Sequence, residues 1–139
     1  MTAARLTASD VQQVLDRVPF IRTLGITADD ADGPLVIRMP YMPGIVGNPR
    51  VPALHGGALA SLMAITAQAK LLRVTGGDRL PRVFSITAEY LRSAVLEDTL
   101  GTATVVTRSR RFANLRVELR QPSSDRVVAA ATVQFLLAE

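Results

Sequence analysis

The stretch that decides the fold is LHGGALASLMAITAQAK, which runs from Leu54 to Lys70. It is rich in alanine, leucine and methionine, has no internal proline, and reaches its first charge only at Lys70. This composition favours a helix. Because apolar side chains surround the helix nearly completely, other structure should wrap it. The sequence therefore predicts one buried helix from Leu54 to about Val74, ended by Gly76 and Gly77.

The segments after this helix have the patterns of strands. Between Ala113 and Arg120 apolar and polar residues alternate strictly, which is typical of a half-buried antiparallel strand. A similar alternation begins at Phe84, and two further runs are rich in Val, Thr and Ala. The predicted strands cover residues 84–91, 99–107, 113–120 and 127–137.

The segments before the long helix are shorter. Thr7, Ser9 or Asp10 can cap a short amphipathic helix that Pro19 stops. Strands are expected at 20–27 and 35–39, and a proline- and glycine-rich irregular loop at 40–52. The whole order predicts an α+β fold in which one sheet wraps one helix, as a single domain over residues 1–139 with a helical segment at 1–19.

Composition excludes several classes of function. The chain has 139 residues, 48% of them apolar and 20% charged, which is typical of one globular core. Cysteine is absent and histidine occurs once, so a disulfide framework, a cysteine-ligated metal and a histidine cluster within one chain are excluded. The net charge of +4 suits an anionic ligand, while 4% aromatic residues leave little to stack nucleic acid bases. Without a signal peptide or an apolar span of about 20 residues, we expect a cytoplasmic protein with no membrane partner.

Four motifs together resemble a known family. They are GNPRVPALHGGALASLM at 47–63, AEYLRSA at 88–94, RSRR at 108–111 and VVAAATVQF at 127–135. In this combination and spacing they resemble the hotdog-fold acyl-CoA thioesterases of the phenylacetate-degradation type, over roughly Phe20 to Leu137. The resemblance implies a long central helix wrapped by a curved antiparallel sheet of five or six strands. It also implies a homodimer or homotetramer, an acyl-CoA substrate with a small or medium acyl or aryl group, and no cofactor or metal.

The resemblance also implies a site at the start of the long helix. There the backbone N–H of Gly57 would face the thioester carbonyl, Gly56 would let substrate approach, and His55 and Asn48 would border the thioester. Helix geometry agrees, because the first N–H groups of a helix lack internal acceptors and carry the positive end of its dipole. The alternatives are that the glycines only permit tight packing and that His55 is a cap or a buried hydrogen-bonding residue.

One position departs from the family pattern. The family carries an Asp or Glu nine residues after the HGG histidine, acting from the partner subunit, and that position here is Ala64. An alanine cannot accept a proton, so the usual mechanism cannot run unchanged. Ser61 and Gln68 share the helix face of Ala64, and Gln68 could orient a water. Glu89 is a weaker candidate for a substitute base.

Four arginines are candidates for holding the phosphates of coenzyme A, because guanidinium binds phosphate in a planar fork. The alternative for each is an ordinary solvated turn residue. These arginines are Arg92, Arg108, Arg110 and Arg111.

Two hypotheses of different class follow. The first is an acyl-CoA thioesterase with an altered active site. The second is an acyl-CoA-binding or subunit-type homologue that lost hydrolysis through Ala64 and supports a partner, which could be an acid-bearing homologue. A hotdog dehydratase or isomerase is less favoured, since those enzymes need their own pairing of histidine and acid.

Overall fold

The computed structural model describes residues 5–48 and 50–137. Within these residues lie three α-helices, α1 (Ala8–Leu15), α2 (Pro19–Thr23) and α3 (Gly56–Thr75), and one 3-10 turn at Pro43–Ile45. The strands are β1 (Thr27–Asp29), β2 (Val36–Met39), β3 (Val46–Asn48), β4 (Val51–Leu54), β5 (Val83–Tyr90), β6 (Thr99–Arg108), β7 (Phe112–Gln121) and β8 (Ser124–Leu136).

Six of these strands form one antiparallel sheet in the order β1-β2-β6-β7-β8-β5. The long helix α3 packs on this sheet and contacts β2, β5, β6, β7 and β8. The α+β hotdog arrangement expected from the sequence is therefore confirmed. The remaining strands, β3 and β4, pair only with each other and lead directly into α3.

The alternating pattern of β7 decides which face of the sheet meets the helix. Ala113, Leu115, Val117 and Leu119 are fully buried, while the polar residues between them are half-buried on the other face. Helix α3 lies close to β6 at Gly101, where an added Cβ would collide with the hydroxyl of Thr66. The small residue therefore lets helix and sheet approach, which fixes how α3 sits over the sheet.

The N-terminal helix joins the same core. Val11 and Leu15 are fully buried there, and Thr7 and Asp10 form a reciprocal capping box at the start of α1. Of the three candidate caps in the sequence, Thr7 is thus the one that caps the helix. Pro19 does not simply stop α1, because it also occupies the first turn of α2.

Two expectations for the segment before α3 are wrong. Residues 20–23 belong to the helix α2, and the strand β1 starts only at Thr27. Proline suits the first turn of a helix, and Gly25, with φ of 69°, takes the left-handed conformation that redirects the chain. The loop expected at 40–52 contains the 3-10 turn and most of the β3–β4 hairpin, so it is more regular than its prolines suggested.

Strand β5 forms one edge of the six-stranded sheet and carries exposed apolar side chains. Its exposed residues include Phe84, Ile86 and Tyr90, and Leu91 follows directly. An apolar edge strand of eight residues is a surface on which another strand can pair. Among the helices of the described residues, none is long and apolar enough to cross a membrane.

Candidate active site

His55 holds the beginning of α3 in place. It is the N-cap residue, and its Nδ1 atom accepts the N–H of Gly57 at 2.8 Å. Its own backbone N–H donates to the carbonyl oxygen of Ile45 at 2.7 Å, which ties the cap to the end of the 3-10 turn. Because an N–H can only donate, Nδ1 must be the acceptor nitrogen, and the neutral imidazole therefore carries its hydrogen on Nε2.

Gly57 is required by this cap. A Cβ atom at position 57 would lie 2.9 Å from two atoms of the His55 ring, which is too close for any side chain. The N–H of Gly57 points at the ring, so an incoming carbonyl oxygen has to share that hydrogen or replace Nδ1. Position 57 therefore needs a glycine because the imidazole of His55 packs against it.

Tyr90 is a site residue that the sequence analysis did not single out. Its hydroxyl donates to the carbonyl oxygen of Gly56 at 2.9 Å, and a Cβ at position 56 would meet its ring at 3.7 Å, an ordinary contact. The signal was present in the alternation of β5, which puts Tyr90 and Ala88 on one face of the strand. Only the tertiary structure shows that this face meets the first turn of α3.

Asn48 lies in β3, within the hairpin that leads to His55. Its side chain is exposed, and its Oδ1 atom accepts the backbone N–H of Arg50 at 2.9 Å. The neighbouring Gly47 packs against the backbone of His55, where an added Cβ would lie 3.2 Å from the His55 Cα. The hairpin therefore brings Asn48 near the cap, with its side-chain oxygen used in the local turn.

Two pockets follow the exposed side of α3. The first, of about 320 Å³, is lined by His55 and Gly57 together with Phe20 and Ser61. The second, of about 380 Å³, begins at the same Phe20 and Ser61 and continues past Ala64 to Gln68. Since they share lining residues, the pockets are neighbours, and together they extend from the helix cap along the first three turns. The remaining walls of the second pocket are apolar, formed by Val18, Ile21, Ile65 and Leu80.

The polar groups on this face of α3 are partly engaged within the chain. Ser61 donates its hydroxyl to the carbonyl of Gly57 at 2.9 Å. Gln68 donates its Nε2 to the carbonyl of Pro81 at 2.9 Å, which leaves Oε1 as the acceptor end of its amide. Ala64 is half-buried between them and presents only a methyl group. This face can orient a ligand, but it supplies no carboxylate.

Glu89 lies away from this face. Its carboxylate is 3.1 Å from the guanidinium of Arg116, a polar residue between the buried positions of β7. The pair therefore lies on the side of the sheet opposite α3. Within one chain, Glu89 therefore does not face Ala64.

The four candidate phosphate-binding arginines do not meet within one chain. Arg92 follows the end of β5, where Tyr90 pairs with Ala129 of β8. The other three surround the turn between β6 and β7, where Phe112 pairs with Leu136 of β8. At about 3.3 Å per residue, the chain between those two positions of β8 spans about 23 Å. Arg92 instead lines a pocket of about 390 Å³ with Gly56 and Tyr90.

A partly buried ion pair lies between the other end of α3 and the segment after β1. The Arg73 guanidinium is 3.1 Å from Asp30 and almost completely buried. Burial, with the nearby charges of Arg5 and Arg73, lowers the pKa of Lys70. Over residues 5–48 and 50–137, no three His, Asp or Glu side chains group closely enough to hold a metal ion.

The long helix α3 packed on a six-stranded antiparallel sheet defines a hotdog-fold protein. The family model described as "Acyl-CoA thioesterase N-terminal domain" matches residues 48–136, more than half of the chain. The chain therefore belongs to the acyl-CoA thioesterase family. The narrower phenylacetate-degradation type implied by the motifs remains a proposal.

Several solved structures share this fold. A thioesterase superfamily member 2 from zebrafish is 25% identical, with a TM-score of 0.77 over 96% of this chain and 99% of that one. A conserved protein from Pseudomonas aeruginosa is 26% identical, with a TM-score of 0.74 over 86% of this chain and 93% of that one. A thioesterase from Haemophilus influenzae is 18% identical and shares the fold, with a TM-score of 0.79 over 97% of this chain and 92% of that one. The comparison with curated proteins finds no match.

Proposed function

We propose that this protein hydrolyses acyl-CoA thioesters that carry a small or medium acyl or aryl group. The observation that carries the proposal is the apolar pocket pair that begins at the His55–Gly57 cap and continues past Ala64. A thioester carbonyl at the cap would place its apolar acyl group along α3. The positive end of the helix dipole favours the negative charge that develops on the carbonyl oxygen.

The reaction needs one water and no cofactor. Water attacks the carbonyl carbon, the carbon–sulfur bond breaks, and coenzyme A leaves as its thiol after taking up a proton, while the acyl group leaves as the acid. A positioned base speeds such a step by about 10² to 10⁴. With Ala64 in place of that base, Asn48 and Gln68 can orient the water without deprotonating it. We therefore expect hydrolysis to be slow.

We further propose that the complete site forms between two copies of the chain. Antiparallel pairing of β5 with β5 of a second copy would cover the exposed apolar side chains of this edge. The end of β5 would then lie beside the start of β5 of the other copy. At its end, Tyr90 contacts Gly56, and just before its start the carbonyl oxygen of Pro81 accepts a hydrogen bond from Gln68. The cap of one copy would thereby approach the Ala64 region of the other.

The same pairing would bring the arginines closer together. The end of β5 carries Arg92, and the start of the second copy's β5 lies at the same end of its sheet as the β6–β7 turn. Arg92 from one copy and the cluster of Arg108, Arg110 and Arg111 from the other could then hold the phosphates of one coenzyme A.

A second candidate function is favoured by the alanine itself. An acyl-CoA-binding homologue without hydrolytic activity needs the pockets and the arginines but no base. Such a protein would act with a partner, for example a homologue that carries the acid.

The test is thiol release from a panel of acyl- and aryl-CoA thioesters by the purified protein, with binding followed by calorimetry. The matched control is Ala64→Trp, which fills the second pocket between Phe20 and Leu80. Thiol release that Ala64→Trp abolishes supports the thioesterase function. Thioester binding without thiol release, with the binding lost in Ala64→Trp, supports the binding homologue. If the wild type shows neither binding nor release, both proposals are contradicted.

A further inference from the structure

The carbonyl of Gly56 and the N–H of Gly57 are the two ends of one peptide group. In this protein a side chain holds each end. The hydroxyl of Tyr90 donates to the carbonyl oxygen at 2.9 Å, and Nδ1 of His55 accepts from the N–H at 2.8 Å. A carbonyl has two acceptor lone pairs, so this one can accept the tyrosine in addition to a helical N–H.

A hydrogen bond at one end of a peptide group strengthens the other end. Donation to the carbonyl oxygen draws electron density from the amide nitrogen, so its N–H becomes a better donor. The bond from Tyr90 also fixes the orientation of the peptide plane from a residue on the sheet. His55 cannot do this during the reaction, because its Nδ1 occupies the position that a carbonyl oxygen must share or take.

We propose that Tyr90 is a positioning residue for the Gly57 N–H. It holds and polarises this peptide group when the thioester oxygen replaces Nδ1 as the acceptor of that N–H. The role of Tyr90 in catalysis rests on the proposed function, hydrolysis, whereas its effect on the peptide group is independent of that function. Two features support a specific role. The tyrosine reaches from the edge strand β5 across to α3, and its half-exposed ring makes only ordinary contact at position 56.

The first test needs no substrate. Tyr90→Phe keeps the ring and removes the hydroxyl, while Tyr41→Phe removes the other tyrosine hydroxyl of the chain, outside the two pockets along α3. We expect the Gly57 amide proton to shift upfield in Tyr90→Phe because its peptide loses polarisation, and to stay unchanged in Tyr41→Phe. An unchanged Gly57 resonance in Tyr90→Phe would overturn the proposal, whatever the activity.

The second test separates positioning from a merely structural tie. Removing a direct oxyanion donor costs about 10² to 10³ in kcat, so losing its support should lower kcat by about tenfold with KM almost unchanged. Tyr41→Phe should keep the wild-type kcat. A Tyr90→Phe protein that keeps the wild-type kcat, with or without a change in KM, overturns the role in catalysis. If the wild type hydrolyses no thioester, the proposed function fails, and the Gly57 resonance alone decides whether Tyr90 polarises the peptide.

Discussion

Replacing Ala64 by aspartate is the most direct test of what limits this protein. The change places a carboxylate on the helix face that already carries Ser61 and Gln68, within a pocket adjoining the Gly57 cap. If proton transfer is the missing step, hydrolysis of at least one acyl-CoA should rise by about 10² to 10⁴. The measurement is thiol release at saturating thioester, which reports kcat directly.

The same substitution should lower stability, and the structure gives the scale. Ala64 is half-buried, and the walls around it are mostly apolar, so a carboxylate there loses part of its hydration. We expect a loss of about 1 to 3 kcal/mol in the free energy of unfolding. For a domain of this size that corresponds to a fall of about 3 to 15 °C in Tm, measured by thermal melt.

Ala64→Asn is the matched control, because asparagine has the shape of aspartate and cannot act as a base at neutral pH. We expect it to leave hydrolysis at the wild-type level. A folded Ala64→Asp protein that is no faster than the wild type would show that the site does not lack a carboxylate. A gain of the same size in Ala64→Asn would show the same.

Three further predictions concern the cap, the sheet face and the edge strand. His55→Ala should lower the free energy of unfolding by about 1 kcal/mol in urea titrations. His55→Ser should lower it much less, because the serine hydroxyl can accept the same N–H. Equal losses in the two variants would show that the cap contributes nothing to stability. Glu89→Gln should keep thioester hydrolysis at the wild-type rate, since its carboxylate faces Arg116, and a large loss of rate would place a base there. Ile86→Lys should turn a β5-paired dimer into a monomer in light scattering, and an unchanged mass would exclude this edge as the interface.

Local sequence patterns determined much of the architecture. The uncharged run after Leu54 predicted α3 to within a few residues, because helix propensity and the glycines after it act locally. The strict alternation in β7 predicted both a strand and the face that it buries. The HGG motif predicted a special helix start. His55 and Gly57, two positions apart in the sequence, are indeed joined there by a hydrogen bond.

What only the tertiary structure decided involves residues far apart in the chain. Tyr90 reaches Gly56 because β5 ends beside the first turn of α3, and no local pattern encodes that contact over 34 positions. The separation of Arg92 from the arginines of the β6–β7 turn follows from the antiparallel register of β5 and β7 on β8. The sequence by itself determined the elements and the cap, since these depend on neighbouring residues. The strand order and register decided which side chains share a site, because they depend on how the whole sheet packs on α3.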